Sequence, residues 1–225
     1  FFLGVRQDFR PHYGCFINLG YASVISFSPE RFFKTDQGII SSYPMKGTRP
    51  RLNIEKKDRE QIEDLKHSDK DIAEHTMIVD LLRNDIGKIS EFGSVEVNNL
   101  FSIESFETVH QMVSEVRGKA TKNIKENAII KAMFPGGSIT GAPKEISMKI
   151  IDSLENYDRG IYTGAIGKVD SNGEMDFSIA IRTLFIDNLK GTYPVGGGIV
   201  WDSNVKEEYD EAYQKSKILL NFIDK

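Results

Sequence analysis

The sequence predicts an α+β protein with largely antiparallel sheets flanked by helices. Three observations predict it. Strand-like runs arrive in adjacent groups, with the helical runs gathered between them, instead of alternating one for one as a doubly wound parallel sheet requires. Two late connections, Asp170-Ser-Asn-Gly173 and Asp187-Asn-Leu-Lys-Gly191, have the short polar, glycine-closed form of hairpin loops. The composition is that of a globular chain able to bury a substantial core: 225 residues, 40% hydrophobic and 28% charged. No repeat, low-complexity tract or linker interrupts it, so one domain over residues 1–225 is the simplest organisation.

The elements follow in order. Residues 13–19, 22–27 and 31–34 are β-rich runs separated by the turn signals Gly20, Pro29 and Asp36-Gln-Gly38. Residues 38–43 read as another strand. Pro44-Met-Lys-Gly-Thr-Arg-Pro-Arg51 reads as an extended Pro/Gly-rich turn that presents Lys46. Residues 53–86 are charged and helical in pattern. Residues 95–97, 101–106 and 108–117 read as strands, and 124–133 and 143–154 as helices. Residues 161–169, 174–186 and 192–200 read as three strands, and 205–223 as a closing helix. The chain opens on Phe1, not Met, within what reads as folded sequence, so a fragment is expected.

Charge and composition exclude several function classes. The formal net charge of −4 gives no global basic field of the kind nucleic-acid binding uses. No apolar run approaches the ~20 residues needed to span a bilayer. Cys15 is the single cysteine, so no intrachain disulfide is possible. That fits a reducing compartment, and a cytoplasmic location is expected. No signal peptide pattern is present.

Several constellations can carry chemistry. A lysine on a loop, partly desolvated, can lose its proton and act as a nucleophile, although most loop lysines are solvated charges. Asp71 and Glu74 lie three apart on one helical face, and so do Glu208 and Glu211, with Lys215 four residues further on. Such faces offer the oxygen ligands that Mg²⁺ takes beside an anionic substrate, or are solvated helix surfaces. Phe134-Pro-Gly-Gly-Ser-Ile-Thr-Gly-Ala-Pro-Lys144 is a glycine-rich loop entering a helix. It is either an anion cradle with Ser138 and Thr140 as extra donors, or a capped turn. It is not a P-loop, because the Gly-x4-Gly-Lys-Ser/Thr spacing is absent. Three glycines, Gly196 to Gly198, interrupt a strand-like run, as happens where a ligand or backbone comes close. Arg182 sits within the apolar run Ile179-Ala-Ile-Arg-Thr-Leu and needs a partner, for which a carboxylate held in bidentate fashion is the natural choice. Together these elements suggest a Mg²⁺-assisted site for a small substrate bearing carboxylates.

The same residues resemble the chorismate-utilising enzymes, which include anthranilate, aminodeoxychorismate, isochorismate and salicylate synthases. The likeness rests on Ser28-Pro-Glu-Arg-Phe32, Pro44-Met-Lys-Gly-Thr48, Lys70-Asp-x-Ala-Glu-His75, Met77-Ile-Val-Asp-Leu-Leu-Arg-Asn-Asp85, Gly137-Ser-Ile-Thr-Gly-Ala-Pro-Lys144, Arg159-Gly-Ile-Tyr-Thr-Gly-Ala-Ile-Gly167, Ala180-Ile-Arg-Thr183 and Gly196-Gly-Gly-Ile-Val-Trp-Asp-Ser203. The order and length of these motifs make it specific over nearly the whole chain.

The resemblance implies a chorismate-binding-enzyme-like fold, here a single catalytic domain lacking the N-terminal half that completes a two-sheet sandwich in family members. It implies Mg²⁺ held by Glu74 and Glu211, with Asp71 and Glu208 holding metal-bound waters. Glu30 matches the general acid that protonates the departing C4 hydroxyl. Tyr162, Arg182 and the backbone N–H groups of Gly196, Gly197 and Gly198 match the enolpyruvyl carboxylate site. Ser138, Gly141 and Lys215 match residues around the ring and its carboxylate. Gln111 stands where many relatives carry histidine; it can hydrogen-bond the C4 hydroxyl but cannot titrate. His110 is adjacent in a strand, so it is expected on the opposite face and receives no catalytic role.

Lys46 distinguishes the branches. The anthranilate and isochorismate branches usually have alanine there, whereas aminodeoxychorismate synthases have lysine. The resemblance therefore implies amination of chorismate at C4 through a lysine nucleophile that reacts as the neutral amine, with ammonia from a glutamine amidotransferase partner. The alternatives are anthranilate or isochorismate formation, or a chorismate-binding fragment without turnover.

Overall fold

The computed structural model describes residues 1–9, 11–188 and 190–223. Helix α1 (Phe2–Phe9) precedes strands β1 (Tyr13–Asn18), β2 (Ala22–Ser28), β3 (Arg31–Asp36), β4 (Ile39–Ser42) and β5 (Met45–Pro50). Helices α2 (Glu55–Lys66) and α3 (Asp69–Gly87) follow, then β6 (Glu96–Ser105) and β7 (Val109–Lys119). Next come α4 (Glu126–Met133), the single turn α5 (Gly137–Thr140) and α6 (Lys144–Leu154). Strands β8 (Ala165–Val169), β9 (Met175–Ile179), β10 (Thr183–Asp187) and β11 (Lys190–Thr192) lead to α7 (Val205–Ile223). The fold is α+β, as expected, and the pairings of β1–β2, β2–β10, β3–β4, β4–β7, β5–β7 and β6–β7 are all antiparallel.

The chain divides into two compact units, Phe1–Glu30 with Asp152–Ile166 and Ser178–Lys225, and Arg31–Ile151 with Gly167–Phe177. The first is built on the sheet ordered β1-β2-β10-β11. Val5, Ile25, Phe27, Leu184 and Leu219 form its core, with Phe2, Ile186 and Tyr193 packed against them. The buried hydroxyls Ser26 and Thr183, one on each of two paired strands, satisfy each other at 2.8 Å, which is how polar residues are tolerated there.

In the second unit β7 is the spine of a sheet ordered β5-β7-β4-β3-β9-β8. Strand β6 covers one edge of β7, while β5 pairs with Val109–Val113 and β4 with Val116–Lys119. Helix α3 buries His75, Ile78, Val79, Leu82, Asp85 and Ile86, a stripe of helical period, and packs on β7 and β5. His110, fully buried on β7, ties three elements together: its Nε2 meets Asp58 Oδ1 on α2 at 2.9 Å and its Nδ1 meets Ser105 Oγ on β6 at 2.8 Å.

Several stretches differ from the sequence-based expectation. The Pro/Gly-rich turn at 44–51 is the strand β5. The run 174–186 is two strands, β9 and β10, in different sheets, broken at Ala180–Arg182. The run 192–200 is extended without regular pairing beyond Thr192, and 161–164 is turn. Among the described residues no helix is long and apolar enough to cross a membrane.

Candidate active site

Lys46 occupies a bulge. On β5, Lys46 pairs with Met112 and Thr48 with Gln111, and the register shifts between them. Gly47 makes the bulge with φ +66, and a Cβ there would lie 2.6 Å from Leu65 Cδ1 and 3.1 Å from Asp71 Cβ. The strand therefore touches α2 and α3 through bare backbone, next to the lysine. Bulges of this kind re-aim side chains beside sites. Two residues further on, Arg49 Nε donates to Asp64 on α2 at 2.5 Å and its Nη2 to Asp71 on α3 at 3.1 Å. The same strand thus carries the lysine and holds one of the expected acids. Gln111 reaches Thr48 Oγ1 at 3.5 Å, whereas His110 is committed to Ser105 and Asp58, in keeping with the opposite-face expectation.

His75 lies beneath this region, fully buried. Its Nε2 is 2.7 Å from Ser114 Oγ, and Ser114 also accepts the Phe101 N–H at 3.1 Å. Burial, and then the positive charge of Lys46, push the His75 pKa down to about 4, so the ring is neutral at physiological pH. Glu74, the preceding residue, is half-buried, and its carboxylate makes no hydrogen bond or ion pair among the described residues.

The glycine-rich loop enters α6 through the turn α5. Gly141 has φ +112, and a Cβ on it would meet Ser147 Oγ at 2.9 Å. Its N–H closes the turn on Gly137 O at 2.9 Å, and Thr140 Oγ1 donates to Gly136 O. Ser138 lies within this turn.

The other expected residues belong to the first unit. Tyr162, Gly196, Gly197, Glu208, Glu211 and Lys215 come together there. A Cβ on Gly196 would lie 2.9 Å from Tyr162 Oη; one on Gly197 would lie 3.1 Å from Glu208 Oε2, 3.8 Å from Glu211 Oε1 and 4.0 Å from Lys215 Nζ. Lys215 Nζ donates to Gly196 O at 3.0 Å and pairs with Glu211 at 2.6 Å. Glu208 accepts from Ser203 Oγ at 2.6 Å. At Gly196 the Tyr162 hydroxyl takes the space of a Cβ, at Gly197 a Cβ would press only on the end of Glu208, and at Gly198 that space is open.

Arg182 turns the corner between β9 and β10 with φ +50, a costly conformation for arginine of the sort found at functional sites. Burial pushes its guanidinium below the ordinary value, and Tyr193 and Glu30 oppose that shift. Burial also raises Tyr193 to about 12 against the pull of Arg182. Glu30 lies in the short link between β2 and β3, its N–H donating to Ser28 Oγ at 3.3 Å and its carbonyl accepting from the Ile179 N–H.

The expected acids stand as two pairs, Asp71 and Glu74 on α3, Glu208 and Glu211 on α7. Among the described residues no cluster of three or more His, Cys, Asp or Glu is assembled. Sequence reasoning misses Arg49, His75 and Tyr193. Arg49 closes the lysine motif, His75 follows Glu74 directly, and Tyr193 opens the triglycine run, so position within the motifs is the available signal.

The sequence matches the chorismate binding enzymes over residues 1–221. The chain belongs to that family. It is 44% identical to aminodeoxychorismate synthase component 1 of Salmonella typhimurium over 94% of this chain and 47% of that protein. It is 42% identical to anthranilate synthase component 1 of Saccharolobus solfataricus over 87% of this chain and 47% of that protein. The crystal structure of anthranilate synthase component I from Streptococcus pneumoniae superposes with a TM-score of 0.88 at 36% identity, covering 96% of this chain and 48% of that one. The chain thus spans about half the length of the curated relatives it matches. The family assignment and the α+β architecture expected from the motifs hold.

Proposed function

We propose that this chain carries the chorismate-binding chemistry of an aminodeoxychorismate synthase component 1, aminating chorismate at C4 to 4-amino-4-deoxychorismate, the precursor of p-aminobenzoate and folate. The observation that carries this reading is Lys46, half-buried on the Gly47 bulge within a motif where that branch has lysine. The residue roles follow the family resemblance. The neutral amine of Lys46 attacks C2 as the C4 hydroxyl, protonated by Glu30, leaves as water and the ring double bond shifts. Ammonia then adds at C4 and expels the lysine. Gln111 hydrogen-bonds the C4 hydroxyl. Tyr162, Arg182 and the N–H groups of Gly196–Gly198 hold the enolpyruvyl carboxylate, and Ser138, Gly141 and Lys215 line the ring and its carboxylate. The hard oxygen donors Glu74, Asp71, Glu208 and Glu211 suit Mg²⁺, which would supply the positive charge that binds the ring carboxylate. A glutamine amidotransferase supplies the ammonia, in keeping with relatives named as one component of a synthase. A cytoplasmic location fits these reactants.

The test mixes protein with chorismate, ammonium and Mg²⁺, and adds a lyase to release p-aminobenzoate. Product that disappears with Lys46→Ala is expected. A Lys46→Ala variant as active as wild type overturns the lysine mechanism. The 42% identity to an anthranilate synthase component favours a second reading, formation of anthranilate. The fluorescence of that product, unaffected by the lyase, separates the two.

A further inference from the structure

The glycine-rich loop is fastened to α3 at two points four residues apart on one helical face. The first is steric. A Cβ on Gly137 would collide with the Leu81 side chain, so the turn α5 lies flush on the helix. The second is ionic. Asp85 is 1% exposed, and its Oδ2 faces the ammonium of Lys144, the last residue of the loop motif, as an ion pair more than an aligned hydrogen bond. Lys144 Nζ also donates to Met133 O at 3.1 Å, at the start of the loop. The other carboxylate oxygen, Oδ1, accepts from Lys88 Nζ at 3.1 Å, at the end of α3. Ser138 and Gly141 lie between the two anchors. Glu74 lies seven residues before Leu81 on the same face of α3.

A buried ion pair adds little net stability over a well-packed apolar pair, because desolvation offsets the attraction. Its distinct property is that it fixes geometry. We infer that the Asp85–Lys144 pair is a positioning device that sets Ser138 and Gly141 at a fixed place along the helix carrying Glu74, a role that rests on the functional reading above. Lys88 provides the control. It brings the same charge to the same carboxylate, but it is 54% exposed and makes no hydrogen bond to the loop among the described residues, whereas Lys144 is 17% exposed and bonds to Met133 O. Asp85 keeps one cation in either single variant, so neither strands a lone buried charge.

Lys144→Met and Lys88→Met are compared by steady-state kinetics with chorismate and by amide exchange across residues 134–144. Lys144→Met is expected to raise KM for chorismate about 10-fold or more while kcat moves less than about 3-fold, the pattern of lost ground-state positioning. Exchange should quicken at Gly137–Gly141 alone, and Lys144→Arg, which keeps the pair, should stay near the wild type. Lys88→Met should match wild type in all three readouts. If Lys144→Met does not fold, Lys144→Gln replaces it. Equal effects of the two lysines, or a wild-type KM and wild-type exchange in Lys144→Met, overturn the inference. Should the wild-type protein fail to turn over chorismate, the functional reading falls and exchange alone decides the tether: unchanged protection at Gly137–Gly141 rejects it.

Discussion

Gly47 shows how much of the site depends on a missing side chain. It is left-handed, at φ +66, and a Cβ on it would lie 2.6 Å from Leu65 Cδ1, closer than a Cβ contact allows, and a tight 3.1 Å from Asp71. Gly47→Ala therefore meets two costs. A non-glycine residue in that conformation loses roughly 1–2 kcal/mol, and moving the Leu65 methyl out of a filled core adds about 1 kcal/mol. Urea unfolding should show a loss of about 2–3 kcal/mol, the sum of those two costs, with β5 the first strand to lose amide protection. A loss below about 0.5 kcal/mol, the level of an ordinary surface substitution, would mean that the bulge relaxes freely and does not set the aim of Lys46. At this scale the motif residues themselves are legible in the sequence. Lys46, the triglycine run and the acids stand out because each is an unusual residue type at a marked spacing. The grip of Arg49 on Asp64 and Asp71 is not legible, since an arginine in a polar loop has the same pattern whether it is solvated or clamped.

Elements are legible where one local pattern decides and obscure where pairing does. Helix α7 has the predicted limits because its apolar spacing is continuous. The charged stretch 53–86 reads as one run, yet it is two helices. Ser68 breaks it with extended backbone, and its side chain accepts the Asp71 N–H as the N-cap of α3. That cap holds the first turn of the helix that bears Asp71 and Glu74. Ser68→Ala should cost about 1 kcal/mol in thermal or urea unfolding, and Ser68→Asp should recover most of it. An alanine variant as stable as wild type would show that tertiary packing alone fixes the start of α3. Strand β5 reads as a turn because Pro44, Gly47 and Pro50 punctuate so short a run. It is a strand because β7 pairs with it from Met45 to Pro50 and its outer edge needs no donor from Pro50. Likewise 174–186 is largely apolar, and nothing in that run signals the change of sheet at Arg182.

The whole molecule has a pH profile that follows from a few groups. It carries 33 acidic and 29 basic side chains, so ordinary acid titration begins with the carboxylates at low pH. Glu115 is lowered because its hydrogen bonds from Tyr43 and Asn98 outweigh the burial that alone would raise it, and Glu155 is lowered by Arg159. A carboxylate with a depressed native pKa contributes stability above its unfolded value and loses it as pH falls through the native one, so both act below about 4.5. His75 acts earlier. Its pKa falls from 6.5 in the unfolded chain to about 4 in the native state, mainly through burial and then through Lys46. Between those values the unfolded chain binds the extra proton, so stability rises with pH across the window and is complete above 6.5. The shift converts to about 3 kcal/mol. The unfolding midpoint in EDTA should therefore fall steadily from about pH 6.5 to about 4.5, before the carboxylates contribute. His75→Leu removes the titrating ring while Ser114 keeps the Phe101 N–H, so its midpoint should be lower at about pH 7 but nearly flat over the same interval. An equal slope in both proteins would place the acid sensitivity elsewhere and leave the buried imidazole without a part in it.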